Sequence, residues 1–409
     1  MRLLSLFSGC GGMDLGFEGG FSVHAESMNP QVHNECWYTE SNDGKVKLEQ
    51  TAFETVFSND ILPYAESAWK TFFKSRGTDV DKVFHNESVV DLVKKALDEN
   101  DPFSFPNDID VVTGGFPCQD FSVAGKRKGF KSHKTHKNKI EEDIPSEETR
   151  GQLYLWMKQV IELTQPKVFL AENVKGLVSL DDVKQVIEND FRNIGEGYYV
   201  VEAQVLNAAH YGVPQNRERV IFIGLNRQYL REGAIEAIEN GDIALYPPIS
   251  HSANPENHQK SYIQSSRVLI DLEEPDSSND RAQQGYSKAK YRPGTQGQTE
   301  VNPDGLAPTI RAEHHGNIEY RRLSRDKGGQ WVDELDNGKA ERRLTVRECA
   351  RIQSFPDEYP FVFTKKETGG AYSLSASGAY KVIGNAVPPL MAFNLAKNLE
   401  SIWGDLFTN

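Results

Sequence analysis

Short apolar runs recur along the first half of the chain, and most of them end in a glycine-rich turn or in an acidic residue. β-Branched and aromatic residues are frequent in these runs, as is typical of strands buried on both faces of a parallel sheet. We predict strands in the segments 3–6, 53–60, 109–112, 167–172, 200–206 and 220–225. The segment 22–50 is polar and aperiodic, and we interpret it as an insertion between the first two strands.

Helical periodicity separates several of these predicted strands. Leu153, Trp156, Val160 and Leu163 are spaced by three and four residues, which predicts an amphipathic helix. Further helical patterns lie at 13–17, 344–353 and 390–402. The alternation of strand, turn and helix predicts an α/β fold with a Rossmann-like sheet, whose first strand and glycine turn resemble the start of a nucleotide-binding unit.

The character of the sequence changes at about residue 226. Prolines, glycines, serines and aromatic residues dominate from there, and no helical period is sustained before residue 344. This composition predicts a second, smaller and loop-rich domain. We assign residues 1–225 and 376–409 to a discontinuous catalytic domain and residues 226–375 to the second domain.

Composition limits the classes of protein to which the chain could belong. A chain of 409 residues is long enough for two domains, and its four cysteines are too irregularly spaced for a disulfide framework, so a reducing cytoplasm is expected. The first apolar run is too short for a signal peptide, and no segment is long and apolar enough to cross a bilayer. The pairs His133 with His136 and His314 with His315 lack nearby cysteines, so no metal is expected.

The net charge of −13 argues at first against a nucleic-acid partner, but local fields decide binding. A basic run follows residue 118 without an acidic residue in it, and acidic residues come only after it. A solvated loop explains such a run equally well; its position beside a candidate nucleophile favours a polyanion. The basic residues are Lys126, Arg127, Lys128, Lys131, Lys134, Lys137 and Lys139.

The candidate nucleophile is Cys118. Two glycines and Pro117 form a stiff turn before this cysteine at the carboxyl end of a predicted strand, where open α/β sheets place their ligands. Glu172 ends the next strand of the same predicted sheet, so the two side chains should lie at one edge. Asp60 also ends a strand, where it suits either the hydroxyls of a ribose or the cap of the following helix.

Six segments, in order along almost the whole chain, resemble the DNA cytosine-5 methyltransferases of bacterial restriction–modification systems. They are 7–12, 115–122, 172–174, 215–219, 343–356 and 384–388. The resemblance implies an S-adenosylmethionine-dependent methyltransferase sheet with a target-recognition domain. It also implies methylation of C5 of cytosine in duplex DNA, with S-adenosyl-L-methionine as the cofactor and S-adenosyl-L-homocysteine as its product.

The resemblance also implies roles for single residues. Cys118 would attack C6 as a thiolate, Glu172 would donate to N3, Arg219 would contact O2, and Arg217 would support the site. The base must be flipped out of the duplex, and the loop 119–130 resembles a lid over it. The cofactor-binding residues implied are Phe7, Ser8, Gly9, Cys10, Gly11, Gly12, Asp60, Ile61, Ser88, Val89, Pro117, Asn385 and Val387.

Two positions depart from the family pattern. The insertion 22–50 displaces the acidic strand end, which makes Glu26 an alternative to Asp60 as the ribose-binding acid. Ser88 stands where the family usually offers an Asp to the adenine amine, so that contact is in question.

The expected partner is double-stranded DNA, with pairing to a restriction endonuclease and a monomeric state. The DNA-contacting residues expected are Gln119, Ser122, Lys126, Arg127, Lys128, Arg311, His314, Asn317, Arg321 and Arg322. A loose likeness of segment 306–322 suggests a GC-rich palindrome such as GGNCC. Transfer RNA is the alternative substrate, and a catalytically inactive DNA-binding regulator is the alternative class of protein. A nicotinamide dehydrogenase would share the fold but has no use for the cysteine and glutamate.

Overall fold

The structure is a computed structural model that describes residues 1–41, 43–117, 153–180, 182–312 and 318–408. Its strands, in chain order, are β1 (Arg2–Leu6), β2 (Ser22–His24), β3 (Tyr38–Glu40), β4 (Lys45–Leu48), β5 (Glu54–Asn59), β6 (Phe84–His85), β7 (Val111–Gly115), β8 (Val168–Val174), β9 (Tyr198–Val200), β10 (Gln204–Asn207), β11 (Glu218–Asn226), β12 (His251–Ser252), β13 (Lys260–Ser261), β14 (Tyr320–Arg322) and β15 (Arg342–Arg343).

The α-helices are α1 (Gly12–Glu18), α2 (Pro63–Ser75), α3 (Val80–Val83), α4 (Val89–Leu97), α5 (Leu153–Thr164), α6 (Val183–Arg192), α7 (Ala234–Glu239), α8 (Arg281–Gln284), α9 (Val332–Asp336), α10 (Val346–Ile352), α11 (Ala376–Asn385) and α12 (Pro389–Leu406). Among the described residues, no helix is both long and apolar enough to span a membrane.

The main sheet has eight strands in the order β10-β11-β8-β7-β1-β5-β6, with β9 also paired to β11. The strands from β8 to β6 run parallel, whereas β11 runs antiparallel to β8. The carboxyl ends of β1, β5, β7 and β8 therefore meet at one edge, and the amino end of β11 joins them there. The predicted parallel α/β sheet is confirmed, but the single strand predicted at 200–206 is wrong, since the chain divides there into β9 and β10.

Alternation along the strands sends side chains into two cores, one on each face of the sheet. Leu3 of β1 packs with helices α1, α2, α11 and α12, whereas Leu4 and Leu6 pack with α4, α5 and α6. The close approach of α1 to α12 depends on Gly16, because a Cβ there would lie 2.4 Å from Ala392 Cβ. Burial on both faces explains why the central strands are nearly continuous apolar runs.

Helix α5 forms where it was predicted, but its buried face differs from the predicted one. Leu163 is 40% exposed, and the fully packed positions include Met157 and Ile161 instead. Tyr154 is also buried, with its hydroxyl donating to Asp190 Oδ2 at 2.7 Å. The predicted apolar face did not include Tyr154, Met157 or Ile161. Met157 and Ile161 are apolar, and the hydroxyl of Tyr154 has a hydrogen-bond partner.

The segment 22–50 contains more structure than an irregular insertion. Strands β2, β4 and β3 form a three-stranded antiparallel sheet, and Val23, Val46 and Leu48 join the core. Lys45 Nζ lies 2.7 Å from Asp357 Oδ2, which ties this small sheet to the chain beyond α10. Strands of three or four residues give too little alternation for the sequence to reveal them.

In its described part, the region 226–375 contains only short strands and helices, as its composition indicates, yet it shares a core with the rest of the chain. Ile310, Leu344 and Val346 lie in the same cluster of buried side chains as Leu15 and Phe393. Helix α10 begins with a capping box, in which the Thr345 side chain accepts from the Glu348 N–H and the Glu348 side chain accepts from the Thr345 N–H. The domain boundaries at 226 and 375 stay predictions.

Candidate active site

The glycine-rich loop after β1 lies against the end of the neighbouring strand β5 and against helix α2. Ser8 N donates to Asn59 O at 2.8 Å, which fastens the loop to the end of β5. Gly11 has a φ of +73°, and a Cβ there would lie 2.6 Å from the rings of Trp69 and Phe73. Gly9 also has positive φ, but a Cβ there would meet nothing within 4 Å, so this side of the loop faces open space.

Asp60 lies directly after β5 and beside this loop. Its Oδ2 accepts from Gly9 N at 2.9 Å, and its Oδ1 accepts from Leu62 N at 2.9 Å. Burial raises the pKa of Asp60 to about 6, although the backbone N–H groups oppose this shift. Glu26 is exposed on a turn after β2 and pairs with Arg267 at 3.7 Å. The geometry favours Asp60 over Glu26 as the acid beside the loop.

Segment 86–89 lies next to Asp60. Asn86 Nδ2 donates to Asp60 O at 2.8 Å, and the side chain of Ser88 accepts from Val90 N as the cap of α4. Ser88 and Val89 are buried, whereas Ile61 is 39% exposed. The hydroxyl of Ser88 therefore already has a structural use at the position where an adenine contact was in question.

Cys10 of the loop is packed into the protein. Its thiol donates to Val382 O at 3.4 Å, and its own carbonyl accepts from the Tyr359 hydroxyl at 2.6 Å. Burial raises the pKa of the Cys10 thiol well above its usual value. Its side chain is therefore an inert part of the core.

A buried carboxylate beneath the loop was missed in the sequence. Asp14 of α1 accepts from the hydroxyl of Ser5 at 2.5 Å, from that of Ser58 at 3.1 Å and from Trp69 Nε1 at 2.7 Å. The Ser58 hydroxyl oxygen also lies 2.7 Å from that of Ser8. An acidic residue between the apolar positions Met13 and Leu15 was the available signal, and the network shows that Asp14 supports the loop.

The turn toward the candidate nucleophile is described as far as Pro117. Phe116 is buried, and its carbonyl accepts from Asn173 Nδ2 at 3.1 Å, which joins the ends of β7 and β8. Gly115 pairs with Glu172 in the sheet, and a Cβ on Gly115 would lie 2.8 Å from Glu172 Oε2. The carboxyl group of Glu172 therefore lies over the strand end that leads to Cys118, which is itself outside the described residues.

Glu172 and Arg219 form a buried ion pair at this edge. Arg219 Nε lies 2.7 Å from Glu172 Oε1, and Arg219 and Glu172 are 9% and 7% exposed. Burial raises the pKa of Glu172, while the charges of Arg219 and then Arg217 oppose the shift. Burial therefore makes this carboxyl group easier to protonate than an exposed one, as a proton donor requires.

Arg217 fastens three segments together. Its guanidinium donates to the carbonyls of Ile310 at 3.0 Å, Gly384 at 2.8 Å and Ala386 at 2.8 Å. Arg217 is completely buried, and its guanidinium holds these segments in place.

Asn385, the last residue of α11, and Val387, just beyond it, differ in their surroundings. Asn385 is exposed, whereas Val387 is buried against α1, since a Cβ on Gly12 would lie 2.3 Å from Val387 O. The segment beyond α11 thus reaches the end of the glycine-rich loop at Gly12.

The expected DNA-contacting residues divide into three groups. Arg311 is partly exposed and lies 3.3 Å from Glu319 Oε1. Arg321 and Arg322 are described and buried. The remaining expected residues lie, like Cys118, outside the described residues: Gln119, Ser122, Lys126, Arg127, Lys128, His314 and Asn317.

The prediction that Arg321 and Arg322 contact DNA is corrected by their placement. Arg322 is fully buried and lies 2.6 Å from both Glu274 Oε2 and Glu334 Oε2. Arg321 is 3% exposed, pairs with Glu334 at 2.8 Å and stacks 3.7 Å from the ring of Trp331. Both guanidinium groups are buried and paired with carboxylates inside the protein, so neither is placed to reach DNA.

Comparison with known proteins places this site in a family. A profile described as "C-5 cytosine-specific DNA methylase" matches residues 42–401. The chain belongs to this family. The methyltransferase therefore acts on cytosine C5 in DNA, and the substrate class predicted from the sequence is confirmed in preference to transfer RNA.

Relatives of similar length support the assignment. The type II methyltransferase M.NgoFVII of Neisseria gonorrhoeae is 31% identical over 99% of this chain and 87% of its own length. M.BspRI of Lysinibacillus sphaericus is 30% identical over 99% of this chain and 82% of its own length. The similarity therefore extends over nearly the whole chain.

Solved structures share the fold at lower identity. The Dnmt2 methyltransferase of S. pombe aligns with a TM-score of 0.57 at 18% identity, covering 98% of this chain and 99% of that one. The methyltransferase EhMeth of Entamoeba histolytica aligns with a TM-score of 0.56 at 15% identity, with 98% of each chain covered.

The family implies S-adenosylmethionine as the methyl donor, and the glycine-rich loop after β1 fits such a molecule. Gly9 leaves space for the close approach of a ligand, and the Asp60 carboxylate at the adjacent strand end suits the ribose hydroxyls. Ile61 leaves part of its apolar side chain exposed beside Asp60.

Proposed function

We propose that this methyltransferase methylates C5 of a cytosine flipped out of a short, specific sequence in duplex DNA, through a covalent bond between Cys118 and C6. The observation that carries the proposal is the buried pair of Glu172 and Arg219, which adjoins the strand end leading to Cys118. A thiolate, a carboxyl group that can hold a proton and a guanidinium are the groups that activation of cytosine needs.

The proposed reaction begins because C5 of cytosine is a poor nucleophile. The Cys118 thiolate adds to C6, forming the C6–S bond, while Glu172 donates a proton or a hydrogen bond at N3. Arg219 donates to O2 and, through its ion pair, keeps the carboxyl group of Glu172 in place. When bound, S-adenosylmethionine supplies the methyl group from its sulfonium. Loss of the C5 proton to a base then restores the ring and breaks the C6–S bond.

The residues proposed to hold the cofactor surround the glycine-rich loop. Asp60 would accept from the ribose hydroxyls, and Ile61 would face the adenine. The Asp14 network would keep the loop in position from below, through Ser58 and Ser8. The further residues proposed for this site are Phe7, Gly9, Cys10, Gly11, Gly12, Ser88, Val89, Pro117, Asn385 and Val387.

Attack on C6 cannot occur inside a stacked duplex, so the target base must leave the stack, at a cost of a few kcal/mol. We assign this step to the segment 119–130 and to the basic run that follows Cys118. Its cations would contact phosphates, and closure over the site would exclude water.

The biological role that fits this chemistry is protection of host DNA from a cognate restriction endonuclease. The relatives M.NgoFVII and M.BspRI carry the name type II methyltransferase, which supports this role. The target sequence and the monomeric state stay predictions.

Bisulfite sequencing of DNA from a host that expresses the protein tests the proposal. The expected result is protection of one cytosine in every copy of a short sequence, with no protection in cells that express the Glu172→Gln variant at the same level. Protection spread without a common sequence, or no protected cytosine from a folded wild-type protein, would contradict the proposal.

A further inference from the structure

The segment 307–311 is fastened alongside the chain that leads into β11. Ala307 N donates to Pro214 O at 3.0 Å, and Asn216 N donates to Ala307 O at 2.8 Å. Ile310 N donates to Gln215 Oε1 at 3.0 Å. Since β11 begins beside the end of β8, segment 307–311 lies beyond the same edge of the sheet as Glu172.

Arg311 ends this fastened segment. Arg217 donates to the carbonyl of the preceding Ile310, and the Arg311 backbone packs against Gly384, where a Cβ would lie 2.2 Å from Arg311 C. Its side chain is nevertheless 30% exposed. Arg311 is thus a cationic side chain with a fixed backbone and an accessible end near the catalytic edge.

Glu319 is the carboxylate that holds Arg311. Its side chain is 1% exposed, its Oε1 lies 3.3 Å from Arg311 Nη1, and its Oε2 is buried without a hydrogen-bond partner among the described residues. Burial raises the pKa of Glu319, and the charge of Arg311 opposes this shift most strongly. A half-satisfied buried carboxyl group is costly for stability, so its benefit must lie elsewhere.

We infer that Glu319 is a positioning residue that orients Arg311 to read a guanine close to the target cytosine. The inference rests on the proposed function. The ion pair through Nη1 restrains the guanidinium and leaves its other donors for a base edge. The planar fork of arginine matches the O6 and N7 acceptors of guanine in the major groove.

The test uses methylation rates on a cognate duplex whose guanines are replaced one at a time by 7-deazaguanine, which lacks the N7 acceptor. At one guanine the wild-type kcat/KM should fall roughly tenfold or more. Arg311→Ala should lose activity on the natural duplex and show no further loss at that guanine. Glu319→Gln, which keeps the shape but removes the charge, should show a reduced penalty at the same guanine.

Arg325→Ala provides a matched control, because Arg325 and Asp336 form an exposed ion pair in the same region. This variant should keep the wild-type pattern at every guanine. Arg311→Lys keeps the charge without the fork and should behave like Arg311→Ala, which tests the reading of guanine by Arg311 whether or not Glu319→Gln folds.

An active wild-type enzyme whose penalties are unchanged by Arg311→Ala or Arg311→Lys would overturn the inference alone. A folded Glu319→Gln variant with the full wild-type penalty would overturn the role of Glu319. A folded wild-type protein that methylates no duplex would overturn the proposed function, and this inference with it.

Discussion

Arg219 Nε lies 2.7 Å from Glu172 Oε1, across the junction of strands β11 and β8. Among the described residues, this is the only place in the main sheet where a strand of the parallel core pairs with an antiparallel strand. Because β11 runs against β8, its amino end lies beside the carboxyl end of β8. Side chains two residues apart in a strand point to the same face, so Glu172 shares a face with Leu170 and Arg219 shares one with Ile221. Leu170 and Ile221 lie in the same core, so Glu172 and Arg219 are on the same face of the sheet. A parallel strand would place this arginine at the opposite edge.

Removing one member of this buried pair should cost more stability than removing both. Arg219→Ala leaves Glu172 buried without its partner, which is expected to cost about 3–5 kcal/mol in the free energy of unfolding. Adding Glu172→Gln to that variant should restore part of the loss, as measured by urea unfolding. Both variants should lose roughly 100-fold or more in methylation rate. Additive losses of stability would contradict the account of the pair.

Binding of the cofactor should depend on pH through Asp60, whose pKa burial raises to about 6. The ribose hydroxyls donate to the carboxylate, so affinity should fall as the pH decreases through about 6 and Asp60 becomes protonated. Calorimetric titration with S-adenosylhomocysteine would show this step. Asp60→Asn should bind more weakly at neutral pH and lack the step, whereas Glu26→Gln should resemble the wild type.

The raised pKa of Asp60 affects the stability of the cofactor-free protein in the opposite direction: stability is higher at low pH. Because the folded state raises the pKa of this acid, stability from Asp60 is greatest below its unfolded value and is lost as the pH rises through about 6. Cofactor-free Asp60→Asn should therefore unfold at a higher temperature than the wild type at alkaline pH. An unchanged or lower unfolding temperature there would contradict the assignment.

The strand ends that carry Asp60 and Glu172 could be predicted from the sequence, because a run buried on both faces is apolar until it reaches the edge of the sheet. The burial of Arg321 and Arg322 against carboxylates could not be predicted in this way. A sequence does not distinguish an arginine that faces a phosphate from one that faces Glu274, since that partner lies 48 positions away in the chain. Asp14 was missed for a related reason: its donors, Ser58 and Trp69, come from other elements.

Loss of Arg322 should affect stability and leave base discrimination unchanged. Although burial acts in the other direction, Arg322 and Arg342 together lower the pKa of Glu274 to about 2. Its stabilising charge is present above the unfolded pKa and is lost as the pH falls toward about 2. Arg322→Ala should lower the unfolding temperature at neutral pH, and less so in acid. If a folded Arg322→Ala enzyme methylated an altered target sequence, Arg322 would have to be a base-reading residue after all.

The basic run after Cys118 should supply affinity without sequence preference. Replacing Lys134, Lys137 and Lys139 by alanine should flatten the dependence of log affinity on log salt, by up to about 0.9 for each phosphate that is no longer neutralised. Fluorescence anisotropy with labelled duplex at several salt concentrations measures this slope. The methylated sequence should not change; an altered sequence would place base reading in this run.

The central claim is that Cys118 attacks C6 of the target cytosine, and a duplex with 5-fluorocytosine at the target tests it most directly. Fluorine cannot leave as a proton, so protein, DNA and methyl group should remain joined after denaturation, with a mass equal to their sum. The adduct should require S-adenosylmethionine as methyl donor and disappear in Cys118→Ala, whereas Cys36→Ala, at an exposed cysteine, should form it normally. An adduct that survives Cys118→Ala, or a folded wild-type enzyme that methylates cytosine but never traps the fluorinated base, would contradict the account.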